Sequence, residues 1–172
     1  GERPGSEAHV NVRTGEAFAT YVATPKLGEG GLDAVYEAEH PEIGRQVAIK
    51  VLAPHLGHMP GVARRFVAEA RAVARIRHAN VIDVYDFGRA ERGELYIIME
   101  LLDGRELMAE MDARGLMPPA EVVAYLEQIC GALQAAHERG VVHRDLKPEN
   151  IFVLAQRPLT VKILDFGIAK LL

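Results

Sequence analysis

Residues 143–150, HRDLKPEN, constrain this chain more than any other segment. They gather acidic, basic and amide side chains in one polar segment, and the apolar run of residues 151–154 follows directly. That pattern is typical of a short strand joined to a loop. The five-residue step from Asp145 to Asn150 lets one loop present both a proton acceptor and a metal ligand. The segment therefore predicts a loop that carries chemistry.

The composition is that of a globular protein without a basic surface. The chain has 172 residues, of which 49% are hydrophobic and 26% charged, enough for one domain or for two small lobes that share a cleft. The net charge of -4 provides no field that gathers nucleic-acid phosphates, so we expect no DNA or RNA partner. No stretch is apolar enough to span a bilayer, and the N-terminus lacks a signal-peptide profile. We therefore expect a cytoplasmic chain without a membrane segment.

The single cysteine, Cys130, rules out an internal disulfide and fits a reducing compartment. It falls within an apolar helical pattern. A buried structural thiol is the prediction.

The first part of the chain is predicted to be rich in β-strands. Residues 1–16 lack a sustained apolar period and are predicted to be a leader, disordered in part. Residues 21–52 contain three apolar runs separated by turn residues, which indicates an antiparallel meander. A helix over residues 61–77 and two strands over residues 81–87 and 94–102 complete this part.

Two helices are predicted next. A short one covers residues 106–115 and ends at Gly115, and a longer one opens at Pro118 and Pro119 and stops at Gly140. The apolar positions of the longer helix follow steps of four, three, four and three. They predict an amphipathic helix whose apolar stripe packs on another element; the stripe consists of Val122, Leu126, Ile129, Leu133 and Ala136.

A glycine-rich segment lies between two predicted strands. Turns without side chains let backbone N–H groups approach phosphate oxygens, but a hairpin that uses glycine only for its turn has the same sequence. A dinucleotide-binding fold is disfavoured, because a strand rather than a helix follows and because Asp33 takes the place of the last glycine. A carboxylate there repels polyphosphate unless its side chain points outward. The candidate residues are Leu27, Gly28, Glu29, Gly30, Gly31, Leu32, Asp33, Ala34 and Val35.

Lys50 is the candidate cation of the predicted sheet. The period of two in VAIKVL puts Lys50 beside the small Ala48, on the face opposite Ile49. An ammonium there can reach phosphates while a flat base packs over the alanine methyl. Glu69 falls on the apolar stripe of the predicted helix, so it can orient Lys50 through a charge-assisted hydrogen bond. A solvated strand lysine and an unrelated glutamate are the competing interpretation.

Taken in order, GEGG, VAIK, Glu69, HRDLKPEN and LDFG resemble the eukaryotic-type (Hanks-type) protein kinase family over residues 21–172. Lys147, Pro148 and Glu149 after Asp145 resemble its serine/threonine type, and the amino acids within the motifs resemble those of bacterial members. The resemblance implies an α+β, bilobal, protein-kinase-like fold. It also implies a complete β-rich N-lobe over residues 21–102 and a partial C-lobe over residues 103–172.

The resemblance assigns the catalytic and metal roles residue by residue. Asp145 corresponds to the residue that accepts or orients the proton of the attacking hydroxyl, and Lys147 to the one that steadies the charge on the γ-phosphoryl group. Asn150 and Asp165 correspond to the Mg²⁺ ligands. The cofactors are then ATP and Mg²⁺, and the substrate is a Ser or Thr hydroxyl of a protein.

The remaining roles concern the nucleotide and the link between lobes. Lys50 corresponds to the lysine on the α- and β-phosphates, and Glu69 to the glutamate that holds it. The adenine sandwich corresponds to Val35, Ala48 and Phe152, the gatekeeper to Met99, and the hinge to Glu100 through Leu102. A hydrophobic column that couples the lobes corresponds to Val73, Val84, His143 and Phe166.

In this family an activation segment and further helices follow the DFG motif, and the chain stops at Leu172 before them. We therefore expect a truncated C-lobe, an uncovered apolar stripe on the long helix, and a fragment that is inactive alone. The alternative is a noncatalytic nucleotide-binding or interaction module derived from a kinase, which Asp33 and the missing substrate lobe favour. Neither the protein substrate nor the oligomeric state is indicated by the sequence.

Overall fold

A computed structural model of the chain describes residue 15, residues 17–29, residues 33–164 and residue 166, with the backbone alone at residues 25, 26, 28, 29 and 69. These residues form two compact units. The first comprises the described residues up to Arg64 together with Tyr85–Leu101. The second comprises Arg65–Val84 and the described residues from Leu102 onward. Apart from Gly15, the predicted leader lies outside the described residues.

The first unit is built on a six-stranded sheet with the strand order β1-β2-β3-β4-β6-β5. Strands β1 to β4 pair with their sequence neighbours in antiparallel fashion, which confirms the predicted meander. Strand β6 pairs antiparallel with β4. The strands are β1 (Ala17–Phe18), β2 (Tyr21–Glu29), β3 (Asp33–Glu39), β4 (Gln46–Leu52), β5 (Val84–Arg89) and β6 (Leu95–Glu100), and a short helix, α1 (Pro54–Gly57), follows β4.

Strand β4 is buried on both faces. Val47, Ile49 and Val51 share one face and are fully buried, as the period of two predicts. Ala48 and Lys50 lie on the other face and are buried as well. A strand that is paired on both edges and buried on both faces usually has a continuous apolar sequence. Lys50 interrupts that apolar sequence with a charge.

Helix α2 (Pro60–Ala74) ends before residue 77, where the sequence pattern placed its end. Its buried side carries Val62, Phe66 and Val73, in agreement with the predicted helical spacing. The N–H of Ile76 donates to the carbonyl oxygen of Val73 at 2.8 Å, so the chain turns out of the helix there. Residues of α2 belong to both units. The lobe assignments of residues 21–102 and 103–172 stay predictions.

The strand predicted over residues 81–87 begins later, at Val84. Val81 instead forms a parallel bridge with Ile163 within the second unit. The N–H of Ile82 donates to the carbonyl of Ile163 at 3.1 Å, and the N–H of Ile163 donates to the carbonyl of Asn80 at 2.8 Å. The sequence pattern of a strand at Val81 thus reflects real backbone pairing, but the partner is Ile163 of the second unit and not a strand of the first sheet.

The second unit packs helices on a three-stranded antiparallel sheet with the order β7-β8-β9. Its elements are β7 (Gly104–Glu106), α3 (Leu107–Arg114), α4 (Pro119–His137), a 3-10 helix (Pro148–Asn150), β8 (Ile151–Leu154) and β9 (Val161–Ile163). Its buried core consists of Val73, Ile76, Val81, Leu107, Tyr125, Ile129, Ala132, Ala136, Ile151, Val153, Val161, Ile163 and Phe166. Both predicted helices, α3 and α4, are present.

The buried face of α4 is rotated from the predicted stripe. Ile129 and Ala136 are buried as predicted, but the face also contains Tyr125 and Ala132. The other predicted members differ: Leu133 is half-buried, and Val122 and Leu126 are exposed. Apolar residues surround much of this helix, so their spacing alone does not select one face.

Cys130 is exposed, which contradicts the predicted buried thiol. It lies on the side of α4 that turns away from the described core, next in the chain to the buried Ile129. Within the described part of the chain, no helix is both long enough and apolar enough to cross a membrane.

Candidate active site

The glycine-rich segment joins two strands of one hairpin. Strand β2 ends at Glu29 and β3 begins at Asp33, and the two strands pair antiparallel with Gly28 opposite Val35 and Glu29 opposite Ala34. A bulge interrupts the register next to Gly28. A strand therefore follows the glycines, which excludes the helix that a dinucleotide-binding fold needs. Leu27 is exposed, and Gly30, Gly31 and Leu32 lie outside the described residues.

The sheet register brings four predicted nucleotide-site residues onto one face of the first unit. Val35 on β3 lies directly opposite Lys50 on β4, and Ala48 on β4 lies opposite Met99 on β6. Residues directly opposite each other in antiparallel strands point to the same face, and Ala48 and Lys50 are two positions apart on β4. The small alanine, the valine and the methionine therefore share this face with the ammonium, and Glu37, directly opposite Ala48, lies on it as well.

Asp33 contacts Lys50 on that face. Its carboxylate oxygen Oδ2 lies 3.0 Å from the ammonium Nζ of Lys50, with 22% of the aspartate side chain and 6% of the lysine side chain exposed. Asp33 is two positions before Val35, so alternation along β3 places both on the same face. The Asp33 side chain thus points toward the predicted phosphate-binding lysine and not outward. Sequence reasoning considered Asp33 only as a source of repulsion and missed this contact.

Three further predicted residues lie in different elements. Glu100 ends β6 opposite Val47 and is half-buried. Leu102, at the other end of the predicted hinge, is half-buried and belongs to the second unit. The backbone of Glu69 lies within α2, and the predicted pairing of its side chain with Lys50 lies outside what the structure describes.

In the second unit, His143 organises the loop of residues 143–150. The imidazole is 2% exposed, and its Nε2 donates a hydrogen bond to the carbonyl oxygen of Leu164 at 2.9 Å. Its Nδ1 accepts a hydrogen bond from the N–H of Asp145 at 3.2 Å. These partners select the neutral tautomer with the proton on Nε2. Arg144 has a φ of 65°, an uncommon backbone conformation for this residue type, so the buried ring holds a strained turn in place.

The loop brings three predicted residues together. The side-chain nitrogen of Asn150 donates to the backbone carbonyl of Asp145 at 2.8 Å and lies 3.4 Å from its carboxylate Oδ2. The ammonium of Lys147 lies 3.7 Å from the same Oδ2. Asp145 is half-buried and Lys147 is exposed. The arrangement holds a carboxylate that can accept a proton beside a cation that can move toward an incoming anion.

Asn150 is suited to bind a hard cation. Within the described part of the chain, the side-chain hydrogen bonds of Asn150 all run from its amide nitrogen, which fixes the orientation of the amide. The amide oxygen then points away from Asp145 and keeps its lone pairs for another ligand. Oxygen donors of amide and carboxylate type are those that Mg²⁺ and Ca²⁺ prefer. The second predicted ligand, Asp165, lies outside the described residues.

The apolar residues predicted to flank the site lie in the second unit. Phe152 on β8 is half-buried and pairs with Lys162 on β9. The ring of Phe166 is buried against the ring of His143, with centroids 4.8 Å apart and a tilt of 52°. Val73 is buried in the same core as Phe166, and Val84 packs against that core. Contact between members of the predicted column is therefore present for His143 and Phe166.

A charged network that sequence reasoning missed lies elsewhere in the second unit. Arg114 on α3 donates to both carboxylate oxygens of Glu121 on α4 and, at 3.2 Å, to Glu110. Arg105 also donates to Glu110. These residues line a pocket of about 400 Å³, and among its described lining residues none is a predicted site residue. The i,i+4 spacing of Glu110 and Arg114 is the signal that could have revealed part of the network.

The network shifts the ionisation of its members. The hydrogen bonds from Arg114 lower the pKa of the Glu121 carboxyl below its ordinary value. The hydrogen bonds that Arg114 donates to Glu121 and Glu110 raise the pKa of its guanidinium. Burial raises the pKa of the Tyr125 hydroxyl, and the charge of Glu121 raises it further. The network therefore favours a charged Arg114 and Glu121 beside a neutral Tyr125.

Comparison with known proteins defines the class. The family model described as protein kinase domain matches residues 21–172. Serine/threonine-protein kinase Pkn1 of Myxococcus xanthus is 50% identical over 148 residues, which is 85% of this chain and 21% of Pkn1. Serine/threonine-protein kinase PknE of Mycobacterium tuberculosis is 40% identical over 157 residues, which is 91% of this chain and 27% of PknE. The crystal structure of the Mycobacterium tuberculosis PknI kinase domain matches with a TM-score of 0.82 and 34% identity, over 92% of this chain and 64% of that one.

The chain therefore belongs to the protein kinase family. This confirms the resemblance to bacterial Hanks-type serine/threonine kinases and the predicted α+β, protein-kinase-like fold. The chain spans between 17% and 27% of the length of the first three curated relatives. Membership of the family implies ATP and a divalent metal ion as the usual cofactors.

Proposed function

We propose that the protein that carries this sequence transfers the γ-phosphoryl group of ATP to Ser or Thr hydroxyls of proteins. The observation that carries the proposal is the loop in which Asn150 and Lys147 both lie against Asp145, with contacts of 2.8 Å and 3.7 Å. A proton acceptor, a cation and an amide ligand stand together on one short segment. Relatives that are named serine/threonine-protein kinases support the choice of substrate hydroxyl.

In this proposal Asp145 orients the attacking hydroxyl and accepts its proton. Lys147, exposed at the edge of the loop, moves from Asp145 to the γ-phosphoryl group as negative charge develops there. The buried His143 fixes the backbone of Asp145 through its accepted hydrogen bond. Phosphoryl transfer needs positioning and electrostatic stabilisation more than covalent participation by the protein, and these three residues supply both.

The nucleotide is assigned to the residues that the sequence predicted for it. Lys50 binds the α- and β-phosphates, Glu69 orients Lys50, and the backbone of the glycine-rich segment approaches the phosphates. The base packs against apolar side chains and hydrogen-bonds to the hinge backbone. The residues assigned to the base are Val35, Ala48, Met99, Glu100, Leu102 and Phe152.

Asn150 and Asp165 are proposed to hold the metal ion, and the amide and carboxylate oxygens suit Mg²⁺. When bound, Mg²⁺ neutralises phosphate charge and fixes the geometry of the triphosphate. The amide orientation of Asn150, fixed by its hydrogen bond to Asp145, supports this assignment.

The proposal includes a signalling role in the cytoplasm. ATP-dependent phosphorylation of proteins changes local charge and is a common switch. The single cysteine fits a reducing compartment. The net charge of -4 argues against nucleic acid as a partner.

A second candidate is a nucleotide-binding or interaction module without catalytic activity. The contact between Asp33 and Lys50 favours it, because a carboxylate on the phosphate-binding lysine opposes phosphate binding. The two candidates differ in turnover and not in fold.

The test is Asp145→Asn in the full-length protein. The measurement is transfer from γ-labelled ATP to the protein itself and to a generic protein substrate, followed by identification of the labelled amino acids. We expect label on Ser or Thr in the wild type and a loss of roughly 10²- to 10⁴-fold in the variant, since general base catalysis contributes about that much. Asp112→Asn, an exposed change on α3, is the matched control and should keep full activity. Equal rates in the two variants would refute the assignment.

Thermal unfolding separates chemistry from folding. Asp145→Asn keeps the size of the side chain and leaves the backbone carbonyl that accepts from Asn150. A melting temperature close to that of the wild type is expected. A wild-type protein that binds ATP but labels no hydroxyl would favour the noncatalytic module.

A further inference from the structure

Asp33 occupies a position where the kinase glycine-loop pattern G-x-G-x-x-G-x-V carries its third glycine. In this chain the pattern runs from Gly28 to Val35, and Asp33 stands in that place. The substitution adds a negatively charged side chain to the start of β3. The added carboxylate does not turn into solvent, because it lies 3.0 Å from the ammonium of Lys50.

The environment makes this contact stronger than an ordinary surface ion pair. Lys50 is 4% exposed and lies on β4, one of the two central strands of the sheet. Val35 is its direct cross-strand neighbour on β3, and Ile97 is the neighbour on β6. Lys50 is buried and Asp33 is half-buried, so the attraction between the charges is screened less than between two exposed side chains. A buried ammonium needs anionic partners, and Asp33 is one of them.

Phosphate groups and Asp33 therefore require the same ammonium. The lysine nitrogen has three N–H donors on a compact charge, and the Asp33 carboxylate lies within hydrogen-bond distance of it. A polyphosphate that binds Lys50 comes close to that carboxylate and is repelled by it. Release of Asp33 restores the donor but costs the existing contact. Either way, phosphate binding is weaker than it would be without the carboxylate.

From this geometry we propose that Asp33 competes with the phosphates of ATP for Lys50 and so sets the nucleotide affinity of this protein. The inference rests on the proposed function, because it takes Lys50 as the phosphate-binding residue. It states that Asp33 weakens the contribution of the phosphates to binding affinity and leaves the contribution of the base unchanged. Asp33 is then a specificity-determining residue that narrows the preference for ATP over adenosine.

The test compares the affinities of ATP and adenosine, in Mg²⁺, for the full-length wild type and for Asp33→Asn, by titration calorimetry. Asparagine keeps the size of the side chain and removes its charge. We expect the dissociation constant of ATP to fall by about tenfold, which corresponds to about 1.4 kcal/mol, while that of adenosine stays within about twofold. Asp33→Gly, which restores the glycine of the pattern, should show a gain of the same sign.

Two controls assign the effect to the pair. Glu39→Gln removes one negative charge from the other end of β3, where Glu39 is exposed and lies opposite Gln46. It should leave both affinities unchanged. In a Lys50→Met background, Asp33→Asn should improve ATP binding less than it does in the wild type, because competition for the ammonium is gone and only the repulsion between carboxylate and phosphates remains.

The outcomes separate this inference from the proposed function. If the wild type binds ATP and Asp33→Asn binds it equally well, the inference is wrong and the proposed function stands. The inference is also wrong if ATP and adenosine improve equally or if the gain in the Lys50→Met background is as large as in the wild type. If neither the wild type nor any variant binds ATP or adenosine, the proposed function fails and the inference fails with it.

Discussion

The side-chain amide of Asn150 donates a hydrogen bond of 2.8 Å to the backbone carbonyl oxygen of Asp145. The bond closes the loop of residues 143–150 on itself, and it sets the direction of the amide oxygen at the same time. One side chain therefore stabilises the loop and prepares a ligand for a cation. The two roles can be separated by substitution.

Asn150→Ala removes the hydrogen-bond donor. Asn150→Asp keeps an oxygen ligand, but it places a carboxylate oxygen against two oxygens of Asp145, which lie 2.8 Å and 3.4 Å from the amide nitrogen in the wild type. We expect the free energy of unfolding to fall by about 1 kcal/mol for Asn150→Ala, which loses the bond, and by about 2 kcal/mol for Asn150→Asp, which loses the bond and adds repulsion between oxygens. Urea denaturation without nucleotide measures both. An Asn150→Asp protein as stable as the wild type would contradict the assigned amide orientation.

His143→Phe keeps a buried ring of similar size and removes both hydrogen bonds of the imidazole. The carbonyl of Leu164 and the N–H of Asp145 lose their partners at 2.9 Å and 3.2 Å. We expect a loss of about 2 kcal/mol in the free energy of unfolding, since an unsatisfied buried polar group costs about 1–3 kcal/mol. His137→Phe, at an exposed position in the last turn of α4, is the control and should change stability by less than about 0.5 kcal/mol. Equal losses in the two variants would show that the hydrogen bonds of His143 contribute nothing specific.

Local periodicity was sufficient to predict the strand that carries Lys50. The alternation in VAIKVL correctly separated Val47, Ile49 and Val51 from Ala48 and Lys50. The partners of Lys50 across the sheet could not be predicted in this way. They depend on the register between strands, and turn geometry and packing of the whole sheet set that register.

The contact between Asp33 and Lys50 illustrates this limit. Parity along β3 puts Asp33 on the same face as Val35, but only the pairing of Val35 with Lys50 shows that this face contains the lysine. A one-residue change of register would have moved Asp33 to the other face. The sequence therefore predicted the presence of an acid near the glycine-rich turn but not its partner.

Helix α4 shows where periodicity misleads. Its spacing put Val122 and Leu126 on one stripe with Ile129 and Ala136, whereas the buried face joins Tyr125 and Ala132 to those two residues. The exposure of Val122 and Leu126 agrees with the expectation of an uncovered stripe. A helix with apolar residues on several sides has no unique stripe, and the face that packs depends on the neighbouring elements. Helix existence and length were predictable, but the rotation of the helix was not.

Gly104 allows a sharp test of the sheet in the second unit. Its φ is 151°, and a Cβ atom at this position would lie 2.0 Å from the carbonyl oxygen of Val153 on the paired strand β8. Gly104→Ala must both strain the backbone and separate β7 from β8, and each effect costs about 1–3 kcal/mol. We expect a loss of at least about 3 kcal/mol in the free energy of unfolding.

Gly115 is the matched control for that variant. It ends α3 with a φ of 69°, and no atom lies within 4 Å of a Cβ built there. Gly115→Ala therefore carries backbone strain alone, and we expect a loss of about 1 kcal/mol. Chemical denaturation of both variants compares the two losses. If Gly104→Ala lowered the free energy of unfolding no more than Gly115→Ala does, β7 and β8 could not lie as close together as the structure shows.

The pair of Arg114 and Glu121 predicts how stability depends on pH. Hydrogen bonds from Arg114 lower the pKa of Glu121 below its ordinary value of 4.5 in the folded chain. The unfolded state therefore binds the proton more readily. The stabilisation from this carboxylate is fully present above pH 4.5 and is lost as the pH falls through the lower pKa of the folded state.

Glu121→Gln should remove this stabilisation. The difference in the free energy of unfolding between wild type and variant should therefore be constant near neutral pH and shrink below about pH 4.5. Urea denaturation of both proteins from pH 7 to pH 3 measures that difference, with Glu127→Gln, an exposed glutamate on the same helix, as the control. A difference that does not change with pH would mean that Glu121 stabilises the chain through packing and not through its charge.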